Sequence, residues 1–308
     1  MTTLIYRHSV FQQHDTGPGH PECAARLMAI LDALTAPEFA ALEWREAPEA
    51  SIEQIERVHP RHYVEAILAM VPAQGLRYLD PDTVMSPRSG EAALRAAGAV
   101  CAAVDSVVTA QANNAFCVVR PPGHHAEPNL AMGFCLFNNV AIGAAHALAR
   151  HGLQRAAVID FDVHHGNGTQ AMFIHRPELL YLSTHQSPLY PGTGHQHERG
   201  TGNILNVPLP PGSGSQVLRD VWLEHLSPAL NDFRPDLILI SAGFDAHRLD
   251  PLAGLDFVEQ DYYWITRQIL AVAKTHCRGR LVSTLEGGYH LPALAASAAA
   301  HCQALLEA

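Results

Sequence analysis

Val158-Ile159-Asp160-Phe161-Asp162-Val163-His164-His165-Gly166-Asn167-Gly168 joins an apolar run to a cluster of acids and histidines. With Ala156 and Ala157 before it, its first half is a short apolar run, the pattern of a strand buried on both faces of a parallel sheet. Its second half crowds carboxylates and imidazoles at the point where that strand leaves the sheet. In an open α/β sheet, the crevice beyond the carboxyl ends of the strands is where ligands bind. Strand side chains alternate with a period of two. Asp162 and His164 therefore share one side, while His165 points to the other and is left off the ligand set.

Working outward, six more apolar or β-branched runs read as buried strands: Leu4–Tyr6, Ala115–Val119, Leu179–Ser183, Ile204–Val207, Leu237–Ser241 and Leu281–Leu285. Apolar residues at helical spacing lie between most of them, over Ala24–Leu34, Ala92–Ala110, Val140–His151, Val217–Phe233, Tyr262–His276 and Leu294–Leu306. This alternation predicts an α/β fold with a parallel, doubly wound sheet. The Pro/Gly-rich stretches Arg120–Gly123, Ser187–Gly202 and Pro208–Gly214 follow strands and read as loops of the active face, so one domain over 1–308 is expected.

Composition narrows the function. The 308 residues are 48% hydrophobic and 16% charged, as in a compact globular protein. A net charge of −10 speaks against a nucleic-acid partner, which takes a basic stripe, and suits a cationic substrate. The six cysteines form no C-x-x-C pair, which argues against a disulfide framework and for reduced thiols in a cytoplasmic protein. No signal peptide or apolar run of membrane-spanning length is expected.

Three strand ends carry the chemistry. The first supplies Asp162 and His164. The second, Leu237–Asp245, is an apolar run closed by an acid. The third, Leu281–Tyr289, ends in Glu286-Gly287-Gly288-Tyr289, where two glycines turn the chain and present a phenol. In a parallel sheet the three ends meet along one edge, so Asp162, His164 and Asp245 would form a three-ligand metal site with a position left open for water or substrate. That donor set accepts zinc, and equally Fe(II), Mn(II) or Co(II). A fourth strand ends in Arg120-Pro121-Pro122-Gly123-His124-His125, whose paired imidazoles would serve as general base and acid. Tyr289 would donate to a carbonyl gaining negative charge. Each motif alone has an ordinary structural explanation: Asp245 as a helix cap, Gly-Gly-Tyr as a turn. Their coincidence at the ends of parallel strands favours metal-assisted hydrolysis of an amide. His195 and His197 are read as surface loop residues.

Taken together, these residues resemble the histone deacetylase superfamily, in its class II-like bacterial amidohydrolase form. The resemblance runs from about Tyr6 to Leu306. Its motifs are His20-Pro21-Glu22, Arg120–Ala126, Met132-Gly133-Phe134-Cys135, Phe137-Asn138-Asn139, Asp160–Gly168, Pro191–Gly194, Gly243-Phe244-Asp245 and Glu286–Tyr289. It implies a three-layer αβα fold around a mostly parallel, about eight-stranded sheet, with zinc on Asp162, His164 and Asp245. It implies His125 as the main base and acid, His124 as its electrostatic partner held by Asp160, and Asn167 as the weaker partner of His125. Phe134 and Tyr190 would wall a tunnel for an acyl-lysine stem, and the Gly133 carbonyl would accept the substrate N–H. A structural potassium ion near Asp160, Asp162, His164 and Ser183 follows from the same likeness, as does Arg26 lining an inner cavity. Two departures stand out: His20–Arg26 lacks the proline often found between its Glu and Arg, and Tyr190 stands where many members have phenylalanine.

The expected substrate is an acyl-lysine protein or peptide. An acylpolyamine is the alternative. Leu252 aligns with the gatekeeper position where polyamine-specific relatives carry an acid, and an apolar side chain offers a second ammonium no partner. Asp80 or Asp82 is expected on the rim. A non-catalytic acyl-lysine binder would not need the complete set of ligands, histidines and Tyr289. A ureohydrolase would need further bridging aspartates that Gly243–His247 does not offer. The oligomeric state is open to a homo-oligomer.

Overall fold

The computed structural model describes residues 2–308. In chain order, the strands are β1 (Thr3–Arg7), β2 (Glu43–Glu46), β3 (Arg77–Tyr78), β4 (Val84–Met85), β5 (Asn114–Cys117), β6 (Ala156–Asp160), β7 (Leu179–Gln186), β8 (Ile204–Leu209), β9 (Leu237–Ala242) and β10 (Leu281–Leu285). The helices are α1 (Ala24–Ala33), α2 (Ile52–Ile55), α3 (Arg61–Ala69), α4 (Ser89–Val108), α5 (Asn139–His151), α6 (Asn167–Phe173), α7 (Ser215–Val221), α8 (Ser227–Phe233), α9 (Glu259–His276) and α10 (Leu291–Leu306).

Eight strands form one sheet in the order β2-β1-β5-β10-β9-β6-β7-β8, and every pairing in it is parallel. The α/β class and the eight-stranded parallel sheet are as expected. β5, β6, β9 and β10 are buried along their whole length, because helices cover both faces. α4 and α5 pack together as one group, and α1, α9 and α10 as another. Each fully buried Leu, Ile or Val of these strands contributes roughly 1.5–3 kcal/mol. A smaller apolar cluster, including Ile55, Tyr63, Ile67, Met85, Leu136 and Phe137, anchors the antiparallel β3–β4 hairpin beside the sheet.

Register then fixes the active edge. Asp160 is level with Ser241, Ser241 with Thr284, and Thr284 with Cys117. Four neighbouring strands therefore end together, and the segments after them emerge at one place.

The differences from the sequence expectation are local. β2 was not expected, because Glu43-Trp44-Arg45-Glu46 is an edge strand largely in solvent and carries no apolar run. Pro208, expected in a loop, belongs to β8, and the outer position of that strand tolerates a missing N–H. The segment 217–233 is α7 and α8 joined by one π turn at Trp222–Leu226, not one regular helix.

Candidate active site

The chain after β6 turns back on itself through its own acids. Asp160 Oδ1 accepts the Asp162 N–H at 3.1 Å, and Asp162 Oδ1 accepts the His164 N–H at 2.9 Å. Asp245, after β9, accepts the Val163 N–H at 2.9 Å. Asp245 caps no helix; it crosses to the neighbouring strand end. Gly287, after β10, donates its N–H to Asp162 Oδ2 at 2.8 Å. A Cβ at Gly287 would run into the carboxylates of both Asp245 and Asp162, so only glycine lets this backbone approach.

The result is a buried cluster in which one atom each of Asp162, His164 and Asp245 lies within 4.8 Å of the others. His164 Nδ1 is 3.1 Å from Asp162 Oδ1 and 3.2 Å from Asp245 Oδ2. Burial opposes a charged His164, but the hydrogen bonds and charges of Asp162 and Asp245 outweigh it and raise the imidazole to about 10. Two buried carboxylates facing one imidazole nitrogen make a pocket that attracts a cation, and this hard-oxygen and imidazole set fits a divalent metal ion. A second carboxylate–imidazole cluster, Asp105 with His146 and His151, has the same spacing. It differs in its surroundings. Asp105 is half-exposed, and Arg57 donates to His146 Nδ1 at 2.7 Å, placing a positive charge against the group.

His124 and His125 stand side by side, ring centroids 4.0 Å apart, with different partners. His124 Nδ1 meets Asp160 Oδ2 at 3.0 Å, and Asp160 also accepts the Tyr181 hydroxyl at 3.0 Å. Burial pulls His124 down, but the charges of Asp162 and Asp160 overcome it and raise it to about 10. His125 Nδ1 meets Asn167 Oδ1 at 2.8 Å. The Asn167 amide nitrogen donates to Glu127 at 2.8 Å, which fixes the amide so that its oxygen accepts. His125 must then carry its proton on Nδ1 and leave Nε2 as an acceptor. Burial, followed by the charges of His124 and His164, lowers His125 well below the usual imidazole value. A carboxylate behind one imidazole and an amide behind the other thus separate a charged group from a neutral one.

A cavity of about 240 Å³ opens onto this cluster, lined by Asp82, Pro122, His124, His125, Gly133, Phe134, His164, Leu189, Tyr190, Leu252, Gly287 and Tyr289. A larger hollow of about 590 Å³ lies near Arg7, Met28 and Trp44 but carries no such cluster, so size does not select the site. Phe134 and Tyr289 face each other edge to face at 6.0 Å, and Tyr190 stands 5.2 Å from the His125 ring. Phe134 adopts a left-handed backbone with φ 68°, which costs a non-glycine residue about 1–2 kcal/mol. Its N–H donates to Thr83 Oγ1 at 3.2 Å and its ring packs on His20 at 4.8 Å. Burial pushes the Tyr289 phenol well above its usual value despite the charge of Arg26, so it stays protonated and can donate.

All the expected ligands, both histidines, Asp160, Asn167, Gly133, Phe134, Tyr190, Leu252 and Tyr289 come together here. Asp82 lines the cavity. Asp80 does not: its Oδ1 caps the hairpin turn through the N–H of Asp82 (3.0 Å) and of Thr83. His165 is buried away from the ligands, bonded to Thr193 at 2.7 Å and Gln170 at 3.0 Å. His195 and His197 are exposed. Arg26 is fully buried, donating to the carbonyls of Glu286 and Gly288 and to Glu22, so it braces the Tyr289 loop. Glu286, Glu127, Tyr181 and Asp250 also belong to the site, though the sequence alone gives them no role. Glu286 accepts the N–H groups of Gly123 at 2.7 Å and His124 at 3.2 Å, joining the β5 and β10 ends. An acid closing a fully buried strand is the available signal for it. Burial, then the charge of Asp245, raises Asp250 to about 7, against the backbone N–H groups that it accepts.

The chain resembles known proteins in sequence and fold. Residues 20–305 match the histone deacetylase domain family. Histone deacetylase 14, chloroplastic, of Arabidopsis thaliana is 44% identical over 98% of this chain and 76% of its own length. The histone deacetylase-like amidohydrolase of Pseudomonas aeruginosa is 43% identical over 90% of this chain and 74% of its own. A probable deacetylase of Archaeoglobus fulgidus is 40% identical over 94% and 82%. The crystal structure of the HDA15 HD domain superposes with a TM-score of 0.93 at 34% identity, covering 99% of this chain and 88% of that one.

Proposed function

The chain belongs to the histone deacetylase family and is a hydrolase acting on amides with a divalent metal site; from that premise we propose that it removes acetyl or other acyl groups from the lysine side chains of proteins or peptides. The observation that carries this reading is the cavity itself. It reaches the metal cluster through His164, is lined by Phe134 and Tyr190, and has Leu252 in its wall. Such a channel takes an unbranched acyl-lysine stem and excludes bulky amides.

Asp162, His164 and Asp245 would hold the metal, with zinc the ion we assign and Fe(II) the main alternative; when bound, it supplies polarisation of the acyl carbonyl and acidification of water. The chain's own groups do the rest. His125 Nε2 takes one proton of the attacking water and returns it to the departing lysine nitrogen as the C–N bond breaks; the other water proton leaves with the acid, so the products are a carboxylic acid and an amine, which at neutral pH become carboxylate and ammonium. His124, charged against Asp160 and Asp162, stabilises the negative charge of the reacting centre. The Tyr289 hydroxyl donates to the acyl oxygen as charge develops on it. The Gly133 carbonyl accepts the substrate N–H. A structural potassium ion beside Asp160 and Ser183, which pair in register on β6 and β7, is part of the same proposal. So are a single deacetylase domain over 1–308 and a cytoplasmic location. Among the described residues no helix is long and apolar enough to cross a membrane.

One observation favours an acylpolyamine instead: Asp82 lines the cavity and would meet a second ammonium. Turnover of an acetyl-lysine peptide compared with that of acetylputrescine decides between them. The proposal expects the peptide to be faster in kcat/KM, and faster acetylputrescine hydrolysis overturns it.

A further inference from the structure

We propose that Asp250 is a positioning residue for the hydrolysis: its buried carboxylate ties the loop presenting Tyr289 to the segment carrying Leu252 and so places the phenol. The inference rests on the reading of Tyr289 as donor to the acyl oxygen.

Asp250 is 7% exposed. Its Oδ1 accepts the Leu252 N–H at 3.0 Å, and its Oδ2 accepts the Tyr289 N–H at 2.7 Å. The first bond is local, two residues along, and belongs to an ordinary Asx turn. The second spans 39 residues and is not needed by any turn. It falls where the chain most needs a tether. Gly287 and Gly288 precede Tyr289, and Gly288 has φ 122°, a conformation open to glycine that leaves the segment few intrinsic constraints. Arg26 takes the carbonyls of Glu286 and Gly288 on one side of this loop. The N–H of Tyr289 itself goes to Asp250. One donor and two acceptors of the loop are thus held by two buried side chains, Asp250 and Arg26. A catalytic donor displaced by about 1 Å loses roughly 10²-fold in rate, so a tether at the backbone of Tyr289 acts on turnover more than on binding.

The test is a double-mutant cycle of Asp250→Asn and Tyr289→Phe, read as kcat and KM on an acetyl-lysine peptide, with metal content and melting temperature measured on each protein. In Asp250→Asn, whichever way the amide turns, its NH₂ faces one of the two N–H donors. With Tyr289 present, Asp250→Asn should lower kcat about 10- to 100-fold and leave KM within about threefold, with metal content unchanged. In the Tyr289→Phe background the same change should cost less than about twofold, because residues acting through one group are not additive. An equal loss in both backgrounds, or no loss in the first, overturns the proposal. Full activity of Tyr289→Phe alone would instead strike the role of the phenol, and the proposal with it. If Asp250→Asn does not fold, Asp250→Glu, with both acceptors kept but one methylene out of place, goes through the same cycle under the same criteria.

Discussion

Replacing Glu22 with Gln should weaken the fold behind the site by about 3–4 kcal/mol at pH 7. Glu22 is completely buried. Its carboxylate accepts from Arg120, through Nε and through Nη2 at 2.8 Å, and from Arg26 Nη1 at 3.1 Å; His14 Nε2 lies 3.6 Å away. Arg120 begins the loop leading to His124 and His125, and Arg26 braces the loop leading to Tyr289, so Glu22 joins the two from behind. Burial pushes its carboxyl up, but the charge and hydrogen bonds of Arg120, and then Arg26, outweigh it and hold it at about 2 against a usual 4.5. At about 1.4 kcal/mol per unit, that difference is worth about 3 kcal/mol. Breaking a buried pair by removing one partner costs about 3–5 kcal/mol, the same range by a separate route. With an unfolding entropy of about 2.1 cal/mol/K per residue over 308 residues, the melting temperature should fall by about 5–6 °C. The folded value lies below the unfolded one, so this stabilisation is present above pH 4.5 and is lost as the pH falls toward 2. Urea unfolding of wild type and Glu22→Gln should therefore show a gap that shrinks by more than half between about pH 5 and pH 3. A gap below about 1 kcal/mol at pH 7, or one that does not change with pH, would mean that the buried Glu22 carboxylate does not carry this stabilisation.

Two further changes test the site from other directions. Asn167→Ala removes the acceptor that fixes the His125 tautomer. It should lower kcat about 10- to 100-fold with metal content intact, as steady-state kinetics alongside metal analysis would show; unchanged kcat would deny His125 its oriented role. Gly287→Ala should push a methyl group into the Asp162 and Asp245 carboxylates and weaken metal affinity at least about tenfold, measured by competition with a chromophoric chelator; wild-type affinity would mean that the carboxylates tolerate displacement.

The fold was legible where burial is complete. Leu237–Ala242 and Leu281–Leu285 are mostly apolar and buried throughout because helices cover both faces, and their lengths read correctly to within a residue. β2 and the two-residue strands of the hairpin were not legible, since an exposed edge and a very short pairing leave no periodic signal. α6 starts inside the Asn167-Gly168 motif, where the polar residues mask helical periodicity. In the site, side chains that end strands could be read from their position. Glu127, Thr83 and Asp250 could not, because each acts on a partner far along the chain and often on a backbone N–H, which any residue type supplies. Cavity and register decide such contacts, and neither is visible in spacing.

Amide hydrolysis by this chain should depend on a metal held by Asp162, His164 and Asp245. The measurement is turnover of an acetyl-lysine peptide by protein stripped with a chelator and then given one equivalent of zinc, with Asp245→Ala carried in parallel. Activity should vanish on stripping, return with zinc in the wild type, and stay absent in Asp245→Ala. Persistent turnover by the stripped protein, or full turnover by Asp245→Ala, would contradict it.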